Sequence, residues 1–81
     1  HIMHIVEESL LIIGITPGMQ VNVSYGEKMS DVEVTITTPA TLSDDILTNS
    51  DHELSVTMIR GMSQSIDLTH TSSGTTLTVK V

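Results

Sequence analysis

Leu54-Ser55-Val56-Thr57-Met58-Ile59 is the stretch whose reading decides the fold. Leu54, Val56 and Met58 alternate with Ser55 and Thr57, and alternation of this length is the signature of a half-buried strand. The pattern recurs on both sides. Val21, Val23 and Tyr25 alternate with Gln20, Asn22 and Ser24, and Val32, Val34 and Ile36 with Asp31, Glu33, Thr35 and Thr37. Ile66 and Leu68 then oppose Asp67 and Thr69, and Leu77, Val79 and Val81 oppose Thr78 and Lys80. Leu10–Ile15 is a continuous apolar run, a strand buried on both faces or a helix fragment, and its β-branched residues and the turn signal after it favour strand. His4-Ile5-Val6 reads as a short edge strand.

Turn chemistry separates the runs. Thr16-Pro17-Gly18-Met19 suits a type II turn, with Pro then Gly at its central positions. Gly26–Ser30, Thr48–Asp51, Arg60–Ser63 and Ser72–Gly74 supply further connections, and Pro39 ends the run before it. Short strands recurring about every eleven residues between turn signals predict an all-β fold. The expected architecture is an antiparallel β-sandwich of six to seven strands, immunoglobulin-like or α-crystallin/CS-like. Helix is expected as at most one turn near Leu42–Leu47, where Ser43 is placed to cap it. The expected core is Ile12, Val21, Val23, Val32, Val34, Ile36, Leu54, Val56, Met58, Ile66, Leu68, Leu77 and Val79. Two Met-Ser pairs, at Met29 and Met62, also hint at an internal echo that aligns Val21–Tyr25 with Leu54–Met58.

Composition narrows the function. The chain has 81 residues, the size of one domain. His1-Ile2-Met3 resembles a cloning remnant, and residues 4–81 are read as a single domain. There is no Cys or Trp and no Phe, so a core of Ile, Val, Leu and Met is expected. The net charge of −7, with only Lys28, Arg60 and Lys80 positive, argues against nucleic acid and against an anionic membrane surface. No run is long enough to span a bilayer. The missing Cys and the missing signal peptide slightly favour a cytoplasmic setting.

No motif for catalysis stands out, and the chain reads as a non-enzyme without cofactors. His52, His70, Met58 and Met62 are the weak candidates for a metal, since thioethers suit Cu(I) and Met58 and Met62 flank an expected turn. Asp44, Asp45, Asn49 and Asp51 are loop oxygens of the kind that bind Ca²⁺, without EF-hand spacing. Glu7-Glu8 and Asp44-Asp45 are adjacent pairs, whose side chains do not converge on one site.

The C-terminal third resembles the small heat-shock (α-crystallin) proteins and the CS-domain co-chaperones. Leu54–Gly61 looks like a strand and its exit in those domains, and Ser65–Thr69 like the next strand. Ser73-Gly74-Thr75-Thr76-Leu77-Thr78-Val79-Lys80-Val81 looks like their glycine turn and closing strand. Ile15-Thr16-Pro17-Gly18-Met19 is similar to their Leu-Pro-Gly-Val segment. The resemblance implies client or partner binding through sheet edges and the groove between sheets. The expected function is therefore a protein-protein interaction module of chaperone or co-chaperone type. An immunoglobulin-like structural module of a cell-surface, viral or phage assembly is the alternative, and a small metal-binding domain is the third. Partner-binding edges are expected at His4, Ile5 and Val6 and at Leu77, Val79 and Val81, with homo-oligomerisation through such edges a further expectation.

Overall fold

The computed structural model describes residues 2–26, 32–43 and 45–81. It contains helix α1 (Ile2–Ile13), strands β1 (Gln20–Tyr25) and β2 (Val32–Thr38), helix α2 (Glu53–Met62), and strands β3 (Ser65–Thr71) and β4 (Gly74–Lys80). A single 3-10 turn, Ser50–His52, leads into α2. The sheet order is β1-β2-β4-β3, antiparallel throughout. An α-β-β unit thus occurs twice, and the second strands of the two units pair at the centre.

This overturns the all-β sandwich. The described residues form one four-stranded sheet with two helices, not two sheets of six to seven strands. Two stretches account for the difference. Leu10–Ile15 and His4–Val6, read as strands, belong largely to α1, because Ile5, Ser9, Ile12 and Ile13 recur at helical spacing and form its buried face. The hydroxyl of buried Ser9 donates to the Ile5 carbonyl at 2.7 Å, which satisfies it inside the helix. Gly14, at φ 82°, ends α1, and its N–H donates to the Leu10 carbonyl at 2.8 Å.

Leu54–Ile59 is likewise helical. Its alternation is real, but Val56 and Ile59, three apart, are the buried residues, and Leu54 is 74% exposed. Glu53 in the first turn and Arg60 in the last turn suit the helix dipole. The Asn49 side chain accepts from the Asp51 N–H at 2.9 Å and starts the preceding 3-10 turn. The expected helical turn near 42–47 is a pair of hydrogen-bonded turns instead, Ile46 N–H to Ser43 and Thr48 N–H to Asp45. The internal echo also changes. Val21–Tyr25 is strand and Leu54–Met58 is helix, so the repeat that exists relates α1-β1-β2 to α2-β3-β4.

Four of the runs are strands as expected. Thr16-Pro17-Gly18-Met19 is also a turn, closed by Met19 N–H to the Thr16 carbonyl at 3.3 Å with Gly18 at φ 87°.

The helices pack on each other and on one face of the sheet, α1 against β2 and α2 against β3. The core holds Ile5, Ile12, Ile13, Val34, Ile36, Ile46, Val56, Ile59, Ile66, Leu77 and Val79. Val34 pairs with Val79 and Ile36 with Leu77, which places one apolar band beneath the helices. Val21, Val23 and Leu54 of the expected core are exposed, and Val32, Met58 and Leu68 are half-buried. The opposite sheet face is polar, with the cross-strand rows Asn22-Thr35-Thr78-Asp67 and Gln20-Thr37-Thr76-Thr69.

One polar cluster is buried with the core. The Thr75 hydroxyl donates to the Ala40 carbonyl at 3.0 Å and accepts from the Leu42 N–H at 3.1 Å. Thr38, paired with Thr75 in register, shares a hydrogen bond of 3.0 Å with Thr16. These bonds tie the chain leaving β2 to the start of β4. Thr75→Val keeps the shape but strands both backbone groups, so it is expected to cost about 1–3 kcal/mol in urea denaturation. Thr75→Ser retains the hydroxyl and should recover most of that loss.

Candidate interaction surface

The two edges of the sheet are β1 and β3, and they differ in cover. On β3, Ile66 is buried and Leu68 is half-buried beside α2. On β1 every residue is exposed. Register shows why this matters. Val21 pairs with Ile36, Val23 with Val34 and Tyr25 with Val32, so the three side chains lie on the face that carries the core. The apolar band therefore continues one strand beyond the helices, with Val21 42%, Val23 37% and Tyr25 70% exposed.

The edges differ in charge as well. β3 carries the carboxylate of Asp67, whereas Gln20-Val21-Asn22-Val23-Ser24-Tyr25 carries no charged residue. Edge strands are commonly guarded by charges, proline or bulges against pairing with another chain. β1 has neither charge nor proline, and its pairing with β2 is unbroken through six successive residue pairs.

Beside Tyr25 the sheet end opens into a cleft of about 370 Å³, lined by Tyr25, Val32, Glu33, Gln64, Lys80 and Val81 among others. Among the residues lining it, the Val81 N–H donates to the Val32 carbonyl at 2.8 Å and the Gln64 N–H to the Lys80 carbonyl at 2.6 Å. A second, shallower cleft of about 320 Å³ lies along α2, between Leu47, Asn49, Glu53, Val56 and Arg60.

The residues expected at sheet edges lie elsewhere. His4, Ile5 and Val6 are on α1, where Ile5 is fully buried and His4 pairs with Glu8 at 3.4 Å. Leu77 and Val79 are buried in β4, a central strand hydrogen-bonded on both sides, and Val81 follows it. The two edge assignments are corrected for different reasons: His4–Val6 is helical, and β4 is paired on both sides at the centre of the sheet.

The metal candidates are dispersed. His52 precedes α2 and Met62 ends it, about 15 Å apart along a helix of this length. Met58 and Met62 do not flank a turn but share α2, and Met62 packs against the core. His70 is on β3, in register with Thr75. Among the described residues no three His, Cys, Asp or Glu side chains are grouped to hold a metal ion. Of the acidic loop, Asp45 bonds the Ser43 hydroxyl and Asn49 caps Asp51, while Asp44 lies outside the described residues. Among the described residues no helix is long and apolar enough to cross a membrane.

Sequence reading missed the exposed side of β1, because the alternation of Val21, Val23 and Tyr25 reports a face and not what covers it. Comparison with known protein families, characterised proteins and solved structures found no match for the chain.

Proposed function

We propose that this protein is a non-enzymatic interaction module that receives an extended segment of a protein partner along β1. The reading rests on one observation: the uncharged edge strand extends the apolar core face beyond its helical cover. An added strand gains main-chain hydrogen bonds from the free edge, and its alternate side chains gain apolar contact with Val21, Val23 and Tyr25. The sheet-edge binding implied by the chaperone resemblance is retained here in its coarsest form. The groove between sheets is not, since the described residues form one sheet.

The test uses a short peptide alternating Val and Thr as the added strand, read by hydrogen exchange of the intact protein. Protection confined to β1 amides is expected, with loss of that protection in Val23→Lys. Val23 is part-exposed, so the lysine head reaches water and the fold survives, as a thermal melt of the variant will check. Leu54→Lys, on the exposed side of α2, is the matched control and should bind as the native chain does. Protection that is absent, or indifferent to Val23→Lys, defeats the reading.

A further inference from the structure

We infer that the segment received by β1 is cationic, with apolar residues towards the helices and Lys or Arg on alternate positions. This rests on the edge-binding reading and specifies its partner. The chain carries ten acidic residues against three basic ones. Of the basic residues, Arg60 is on α2, Lys80 is at the end of the central strand β4, and Lys28 lies outside the described residues. None of the described ones belongs to the free edge.

The polar face of β1 gives a local reason. An added strand would set its outward side chains beside Gln20, Asn22 and Ser24, which are neutral. The next residue inward from Ser24 is Glu33, half-buried and without an ion pair among the described residues. Two strand spacings, about 9.6 Å, separate Glu33 from the added strand. A Lys or Arg lying flat across Ser24 spans most of that distance, and the carboxylate side chain closes the rest. Lys80 stands on the far side of Glu33, one strand further in. A carboxylate on the added strand would instead meet Glu33 and a net charge of −7.

The same charge weighs against a second copy as the occupant. Pairing β1 with β1 of another molecule brings two chains of −7 together, and no basic residue of β1 offsets it. Two such copies would associate better as salt rises, whereas a cationic partner would bind less well.

The experiment compares three peptides on the intact protein: alternating Val-Lys, Val-Thr and Val-Glu. Binding is read by fluorescence anisotropy and its position by hydrogen exchange. At low salt the Val-Lys peptide is expected to bind about tenfold or more tightly than the Val-Glu peptide. The difference should shrink towards unity at about 1 M NaCl, where the screening length is only about 3 Å. Glu33→Gln should reduce the Val-Lys preference while leaving Val-Thr binding unchanged. Equal binding by all three peptides at β1 overturns the inference and leaves edge binding standing. Protection by none of them overturns edge binding itself. A doubled mass in light scattering, growing with salt and accompanied by β1 protection without peptide, assigns the edge to a second copy and overturns the inference.

Discussion

Gly74→Ala is expected to destabilise the protein by more than about 3 kcal/mol, the range reached only by core, strain and buried-polar defects. Gly74 opens β4 at φ 146°, in the region that side-chain-bearing residues rarely adopt. A methyl there would be directed into the backbone carbonyl oxygen of Thr38, and would also lie 2.8 Å from the Cα of Pro39. Both obstacles are main chain, so no rotamer change relieves them. Nor is there room for β4 to back away, because the next residue, Thr75, is bonded to Ala40 and Leu42 on the same segment. A domain of this size has about 5–15 kcal/mol in total, so a loss of this order should lower the urea midpoint sharply. Gly61→Ala is the control. It lies inside α2 with nothing within 4 Å of the added methyl, and alanine is the better helix former by about 0.5–1 kcal/mol. The two substitutions should therefore move the midpoint in opposite directions. A Gly74→Ala protein as stable as the native chain would mean that β4 does not begin against Thr38 and Pro39.

The strands were legible where one face meets a core and the other meets water. In β2, Val34 and Ile36 are buried while Glu33, Thr35 and Thr37 are not, and that difference is what alternation records. The Pro17-Gly18 turn was legible for a similar reason, since its chemistry is local. The helices were not legible because their sequences satisfy both periods. Leu54, Val56 and Met58 alternate, yet Val56 and Ile59 are also one helical turn apart, and tertiary packing against α1 selects the second pattern. The β-branched content of Leu10–Ile13 points to strand by propensity, but propensity is overridden once Ile5, Ser9, Ile12 and Ile13 have a sheet and a second helix to pack on. The proposed interaction surface was half legible. Val21 and Val23 belong to the expected core and Tyr25 shares their face of the strand, as the register has it, but cover is a property of three-dimensional neighbours. The sheet order sets both second strands at the centre and leaves β1 and β3 at the edges, and the helices pack on β2 and β3.

Leu77→Ala and Leu54→Ala separate the observed fold from the sandwich reading, which placed both residues in one core. Leu77 is fully buried in β4, in register with Ile36 on one side and Leu68 on the other. Removing its side chain leaves a cavity bounded by a sheet that is hydrogen-bonded on both sides, so the walls cannot close in. The expected cost is about 2–5 kcal/mol, transfer and cavity terms together. Leu54 is 74% exposed on the first turn of α2. Its truncation removes little contact, and alanine is at least as good in a helix, so the change should stay within about 0.5 kcal/mol. Measured in the same urea series, the pair should differ by several kcal/mol with unchanged slope. Equal and large losses would put residue 54 inside a core and restore a strand over Leu54–Ile59. Equal and small losses would take Leu77 out from beneath the helices. The contrast also bears on β1, since the band that Leu77 anchors is the one that reaches the edge through Ile36 and Val21. If that band is well packed at its centre, the uncovered row at its margin is a continuation of a formed core, and an added strand meets a surface already in place.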